Sequence, residues 1–254
     1  MYLASGILIP NTLPALYLEG CRTLVISDLH IGQESVLRLK GVHIPEISYP
    51  RIKEDISALL DKTRAEEIVL LGDVKHELGR PSAQEWVEVK DLLGFLADQR
   101  LGVHIVRGNH DNYILSILGR FSLHLHDPCM QIGDALLIHG DKKVLVPSSV
   151  KTIIMGHEHP AVSSRDSSGS RYKFRAFLVG KYDGREIIVM PASSPLAAGV
   201  GINEVPRESL LSPILKEADI DSFEPIVVER GVGVFRFPQI GLMRSPGPLP
   251  ARGL

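Results

Sequence analysis

Residues able to bind a cation or move a proton gather in five short clusters. They are Asp28-Leu29-His30, Gly72-Asp73, Gly108-Asn109-His110-Asp111, His139-Gly140-Asp141 and Gly156-His157-Glu158-His159. Together they offer imidazole, carboxylate and amide donors and no thiolate. Oxygen and imidazole ligands suit Mn²⁺, Fe, Ni²⁺ or Zn²⁺ better than Ca²⁺ or Mg²⁺, which prefer all-oxygen shells. The pairs Asp28/His30 and His157/His159 share one spacing. In an extended segment residues i and i+2 face the same side, which predicts that each pair points into a single cavity.

Each cluster follows a short apolar run, at 23–27, 68–71, 103–106, 135–138 and 152–155. These read as five strands. Ile52, Ile56, Leu59 and Leu60 repeat at helical spacing between the first two. A second helix is announced by a capping box, Ser82 with Glu85, and carries Trp86, Val89, Leu93 and Leu96 on one stripe. Alternation of strand and helix predicts an α/β core. Ligands of open α/β sheets gather beyond the carboxyl ends of the strands, so the five clusters are expected on one rim.

After position 160 the texture changes. A serine-rich loop at 163–170 precedes apolar runs at 173–182 and 185–190, and Asp183-Gly184 between them is a strong hairpin signal. A last pair of strands is expected within 226–237, around Gly231. The prolines and glycines of 243–254 leave little to bury and read as a tail. The expected organisation is one domain over 1–242, with the motifs in 23–160 and a completing hairpin and strands in 161–242.

Composition narrows the function class. With 254 residues, 44% hydrophobic and 23% charged, the chain has ordinary globular values that argue against disordered and fibrous classes. A net charge of −2 supplies no overall positive field for a polyanion, so any contact with nucleic acid must be local. Cys21 and Cys129 are too few for a disulfide framework and fit a reducing compartment. No apolar run reaches the roughly 18–20 residues of a membrane span, and the first residues lack the basic region of a signal peptide. A cytoplasmic location is the expectation, with no membrane partner; oligomeric state is not legible.

The ordered set D-x-H, G-D, G-N-H-D, H-G-D and G-H-x-H, each after an apolar strand across 24–160, resembles the calcineurin-like metallophosphoesterase superfamily. Within it, DLHIGQE at 28–34 and GDVKHE at 72–77 resemble two groups of small phosphoesterases. One is related to the nuclease subunit of double-strand-break repair complexes, and the other is encoded with bacterial DNA ligases. The resemblance implies a four-layer αββα sandwich, two mixed β-sheets flanked by helices. It implies two divalent metal ions, Mn first with Fe, Ni or Zn as alternatives. Asp28, His30 and His159 would bind one, Asn109, His139 and His157 the other, and Asp73 would bridge them. Two such cations outweigh Asp28, Asp73 and a bridging hydroxide, leaving a net positive charge that favours a phosphate ester. The implied reaction is attack of that hydroxide on phosphorus, with His110 assisting the leaving group and Asp111 holding the His110 tautomer.

Other residues fit blander roles. His104, His124 and His126 read as core or surface residues, Cys21 and Cys129 as buried small hydrophobes, and Trp86 as core. Asp141 and Glu158 are candidates to orient neighbouring imidazoles. Arg165, Arg171, Lys173 and Arg175 read first as a solvated face. Lys75, His76 and His43 are candidates to reach a substrate phosphate.

The expected function is a dinuclear phosphodiesterase or nuclease-like enzyme. Its partner would be a phosphate ester, a nucleotide or short single-stranded nucleic acid. Alternatives are a phosphomonoesterase acting on nucleotides or phosphoproteins, and a non-catalytic binding scaffold. No G-x-S-x-G elbow or G-x-x-x-x-G-K-[ST] loop is present.

Overall fold

The computed structural model describes residues 1–244 except 120 and 122. In chain order its elements are β1 (Tyr2–Ala4), β2 (Ile7–Leu8), β3 (Ala15–Leu18), β4 (Thr23–Ile26), α1 (Gln33–Leu39), α2 (Ser48–Thr63), β5 (Glu67–Leu71), α3 (Ala83–Asp98), β6 (Gly102–Val106), α4 (Leu115–Leu118) and β7 (His124–His126). There follow β8 (Cys129–Ile132), β9 (Ala135–Ile138), β10 (Thr152–Met155), β11 (Pro160–Arg165), β12 (Arg171–Tyr182), β13 (Arg185–Val189), β14 (Val200–Gly201), α5 (Pro213–Glu217), β15 (Glu224–Glu229), β16 (Gly233–Arg236) and α6 (Ile240–Arg244).

Strands β1 to β7 form one sheet in sequence order, antiparallel through β4 and parallel from β4 to β7. The second sheet runs β14-β11-β12-β13-β10-β9-β8, with β15 and β16 added beside β12. It too is mixed: β9, β10 and β13 are parallel, while β12 is antiparallel to β11, β13 and β15.

Alternation along each strand builds the layers. In β4, Leu24 and Ile26 join a core with Ile52 and Ile56 of α2 and Val89 and Leu93 of α3, while Val25 points to the other sheet. Val69, Leu71 and Val106 meet Leu137, Ile154 and Ile188 in that middle layer. On the outside of the second sheet, Leu136, Ile138 and Ile187 pack against Ile214 and Leu215 of α5 and Ile240 of α6. Strands buried on both faces read as continuous apolar runs, as these do. The result is the four-layer sandwich, helices outside two mixed sheets.

The helix signals hold. Ser82 Oγ accepts from the Glu85 N–H at 3.1 Å, and the Glu85 carboxylate accepts from the Ser82 N–H at 2.6 Å. Asp183 and Gly184 both take positive φ, 50° and 74°, as a tight hairpin turn requires. The single rim needs correction. The five cluster-bearing strands divide three and two between facing sheets, and the clusters meet because both sets of parallel strands end on the same side. Strands β1 to β3 carried no signal that the sequence made legible. Of the expected tail, Met243 and Arg244 close α6, and the remainder lies outside the described residues. Cys21 and Cys129 are free thiols, half-buried rather than fully buried. Trp86 packs half-buried against the helix-side core. No helix among the described residues is long and apolar enough to cross a membrane.

Candidate metal centre

Backbone hydrogen bonds carry the ends of β4 and β5 onward side by side. Asp28 N–H donates to Gly72 O, His30 N–H to Asp73 O and Ile31 N–H to Val74 O, at 2.9–3.1 Å. The same happens in the other sheet, where Gly156 N–H donates to His139 O at 3.0 Å. These paired ends do not stay extended. Asp28, His30, Asp73, His157 and His159 all sit in the left-handed region, with φ of 55°, 46°, 51°, 67° and 48°. The i, i+2 pairs therefore converge through left-handed backbone rather than through the side-sharing of a strand. Such conformations are uncommon for non-glycine residues and cost of the order of 1–3 kcal/mol each, which makes their concentration here a mark of function.

Crowding explains two motif glycines. A Cβ on Gly72 would lie 2.1 Å from His139 Nδ1, and one on Gly108 would lie 2.2 Å from Asp73 Oδ1. Neither position has room for any side chain.

Convergence is close. Ligand atoms of Asp28, His30 and His159 lie within 4.8 Å of one another, as do those of Asp73, His139 and His157. Asn109 Oδ1 is 3.1 Å from His139 Nε2, beside the second group. Asp73 Oδ2 lies between the groups, 3.7 Å from His30 Nε2 and 3.4 Å from His139 Nε2. A third set, His30, His76 and His110, adjoins the first.

Charge in this pocket is tightly balanced. Asp28 and Asp73 are 0% and 2% exposed, and buried carboxylates need a positive partner. Burial drives the His30 imidazole down to about 3, so it is neutral at ordinary pH and one ring nitrogen keeps a free lone pair. Burial also works against a charged His139, but the hydrogen bond and charge of Asp73, with Asp28 beyond, raise it to about 9. His159 is likewise raised, by Asp28 against burial. These protons answer the two carboxylates. Divalent cations would answer them better and displace the protons, as metal binding to imidazole and carboxylate does. His139 is set up for this, because Nδ1–H donates to Leu71 O at 3.2 Å and leaves Nε2 facing Asp73 and Asn109. The donor chemistry therefore fits first-row divalent cations.

Neighbouring residues need several corrections. Asp111 does not touch the His110 ring. Its buried carboxylate accepts from the backbone N–H groups of Asp73, Val74 and Gly108, at 2.8, 2.9 and 2.9 Å, and so pins the turn that presents Asp73. The ring of His110 is held instead by the His76 carbonyl, to which Nδ1–H donates, while Nε2 lies 3.9 Å from Asp73 Oδ2. Glu158 faces away from the imidazoles and accepts from the N–H groups of Leu211 and Ser212. Lys75 is fully buried and donates to the carbonyls of Glu77 and Gly79, so it ties a loop together and does not reach the cleft. His43 is exposed on the connection between α1 and α2 and makes no hydrogen bond to the centre among the described residues. Asp141 is half-buried; burial and then the charge of His139 hold the His157 imidazole below its ordinary value, and Asp141 opposes them only after Asp28 and Asp73. His104 and His126, 3.1 Å apart, and His124 stacked on His104, form a separate group on β6 and β7.

Two fastenings escaped sequence reasoning. Glu85, 0% exposed, accepts from His76 N–H and Glu77 N–H in addition to its capping bond, and so anchors the segment after Asp73 to α3. The strap 193–199 runs past the other side. Ser193 N–H donates to Ser27 O and Ser194 N–H to Asp28 O, at 3.0 and 3.1 Å, and just beyond it Val200 N–H donates to His159 O at 2.8 Å. The capping box was the only advance sign of the first; the second read as a featureless turn-rich stretch.

The family model of calcineurin-like phosphoesterases matches residues 21–145, the segment that holds four of the five clusters, all but Gly156-His157-Glu158-His159. Over these residues the chain is similar to this family. A solved structure shares its fold. The crystal structure of Pseudomonas putida nuclease MPE aligns with a TM-score of 0.64 at 18% identity, over 89% of this chain and 93% of that one. Yfce, a phosphoesterase from E. coli, aligns with a TM-score of 0.39 at 17% identity, over 82% and 88%. No curated protein matches the sequence.

Proposed function

We propose that this chain is a calcineurin-like phosphoesterase, a dinuclear metal-dependent hydrolase of phosphodiesters, nuclease-like in its chemistry. Asp28, His30 and His159 would hold one cation, Asn109, His139 and His157 the other, and Asp73 both. When bound, the cations supply Lewis-acid charge and bring a water near neutral acidity. The observation that carries this reading is Asp73 Oδ2, within 4 Å of histidines from both ligand groups.

The chain's own groups complete the chemistry. Asp111 holds the backbone of Asp73, and the 193–199 strap holds that of Asp28, so the two carboxylates are positioned before substrate arrives. His110 Nδ1–H is engaged by the His76 carbonyl, which leaves Nε2 as the working nitrogen at the partly open side of the centre. From there it carries a proton to the leaving oxygen. A diester is favoured over a monoester by the resemblance of the 28–34 and 72–77 motifs to nuclease-related phosphoesterases, and by the fold shared with the Pseudomonas putida nuclease. Mn²⁺ is the first choice of metal. Free thiols at Cys21 and Cys129 suit a reducing, cytoplasmic setting.

The test is metal analysis of the purified protein followed by a screen with Mn²⁺ of an aryl phosphodiester, mononucleotides, cyclic nucleotides, dinucleotides and single-stranded DNA. Diester cleavage that disappears in Asp73→Asn is expected. Cleavage of monoesters alone, or bound metal with no turnover on any substrate, would overturn the proposal in favour of a phosphomonoesterase or a scaffold.

A further inference from the structure

A cavity of about 530 Å³ shares a wall with the metal centre. Ser193, Pro195 and Ala197 of the strap line it, and the same strap bonds the carbonyls of Ser27 and Asp28. This volume falls within the roughly 300–1,000 Å³ of ordinary ligand sites. Its charged lining is Arg51, Lys173, Arg175 and Arg230 against Asp55 and Glu229.

The cations outnumber the carboxylates two to one, in a chain whose net charge is −2. Among the described residues Arg230 is the one of the four in a direct ion pair, with Glu54 and Asp55. Arg175 spends its guanidinium on the carbonyls of Ser194, Pro195 and Ala197, which props the strap and keeps a full charge in the wall. Lys173 donates to the Gly199 carbonyl at 2.9 Å and has no carboxylate partner among the described residues. Arg51, exposed on α2, makes no side-chain hydrogen bond or ion pair among them. Its charge reaches Arg175, whose ionisation is disfavoured first by burial and then by Arg51, with Glu229 and Asp55 opposing them, and it reaches Asp55 as well. Like charges crowded into a concave wall repel one another, and an anion between them relieves the repulsion.

We propose that this cavity is a phosphate subsite for an extended substrate: it holds a phosphate of a single-stranded oligonucleotide beyond the one positioned at the metal centre. The subsite rests on the diesterase reading above for the identity of the chain it binds. Arg51 and Lys173 contact the phosphate, and Arg175 positions the strap between the two sites. The remaining basic residues of the segment do not take part. Arg171 is paired with Glu204, and Arg165 donates to the Gly169 carbonyl in the serine-rich loop.

Binding of a fluorescently labelled single-stranded oligonucleotide to the full chain in chelator, followed by anisotropy across a salt series, tests this without turnover. Arg51→Gln with Lys173→Gln is expected to weaken binding at least about tenfold, the scale of losing charge-assisted hydrogen bonds. The slope of log affinity against log salt should shrink by about 1.4, the contribution of two phosphate contacts to a single strand. Arg165→Gln should leave both quantities as they are. Circular dichroism confirms that the variants, all at exposed positions, remain folded. An unchanged affinity and slope in the double variant, an equal loss in Arg165→Gln, or no binding by the wild type, each refutes the subsite. Hydrolysis of the same oligonucleotide by wild-type protein with Mn²⁺ is scored separately. Its absence alongside charge-dependent binding would sink the diesterase reading and leave the anion site standing.

Discussion

Asp111→Ala separates two roles for one carboxylate. If Asp111 oriented His110, its removal would slow turnover and leave the fold alone. The structure shows instead three backbone N–H groups, from Asp73, Val74 and Gly108, ending on a side chain that is 1% exposed. A buried donor left without a partner costs about 1–3 kcal/mol, so three of them put the loss on alanine substitution at about 3–9 kcal/mol. That is a large share of the roughly 5–15 kcal/mol that holds a domain folded. Asparagine should cost less. Oδ2 takes two of the three donors and Oδ1 only one, so an amide oxygen in the Oδ2 place keeps Asp73 and Gly108 and opposes Val74 N–H with a second donor. The expected loss is about 1–3 kcal/mol. Urea unfolding in chelator measures both, free of the linkage to metal binding. A ΔG for Asp111→Ala within about 0.5 kcal/mol of wild type, with turnover nonetheless lost, would restore the orienting role and refute the backbone one.

The remaining predictions concern the centre itself. His110→Ala should lower kcat about 10²- to 10⁴-fold while metal content, by elemental analysis, stays at the wild-type level; parallel loss of metal would show that His110 is a ligand and not a proton carrier. Asp73→Asn should cut bound metal and abolish the rise in Tm that Mn²⁺ gives the wild type; a full metal complement would remove Asp73 from both sites. In chelator, stability should fall as pH rises from about 6.5 to 9. His139 is raised to about 9, above its ordinary 6.5, so its stabilising proton is fully bound below 6.5 and lost as pH passes the higher value. Thermal scans at pH 6.5 and 9.5, with and without Mn²⁺, check this. An equal fall in the metal-loaded protein would point to some other group.

Local signals carried the chain a long way. The apolar runs ending in polar clusters, the Ser82/Glu85 box and the Asp183-Gly184 hairpin are written in neighbouring residues, and each formed where its pattern placed it. The five clusters themselves were legible as a metal-binding inventory, while the choice of ligands within them came from the order of the motifs and the family it resembles. What depended on distant backbone was not. The division of the five strands between two sheets, the left-handed turns at Asp28, His30, Asp73, His157 and His159, and the placement of Lys75 away from the cleft came only with packing. Asp111 illustrates the reason. A carboxylate beside a histidine in the chain has that histidine as its natural partner on paper. In the folded molecule three unpaired N–H groups from two loops lie nearer, and satisfying buried donors outweighs adjacency in sequence. The strap at 193–199 and the cationic cavity behind it follow the same rule, since their partners sit in segments brought together only by the stacking of one sheet on the other.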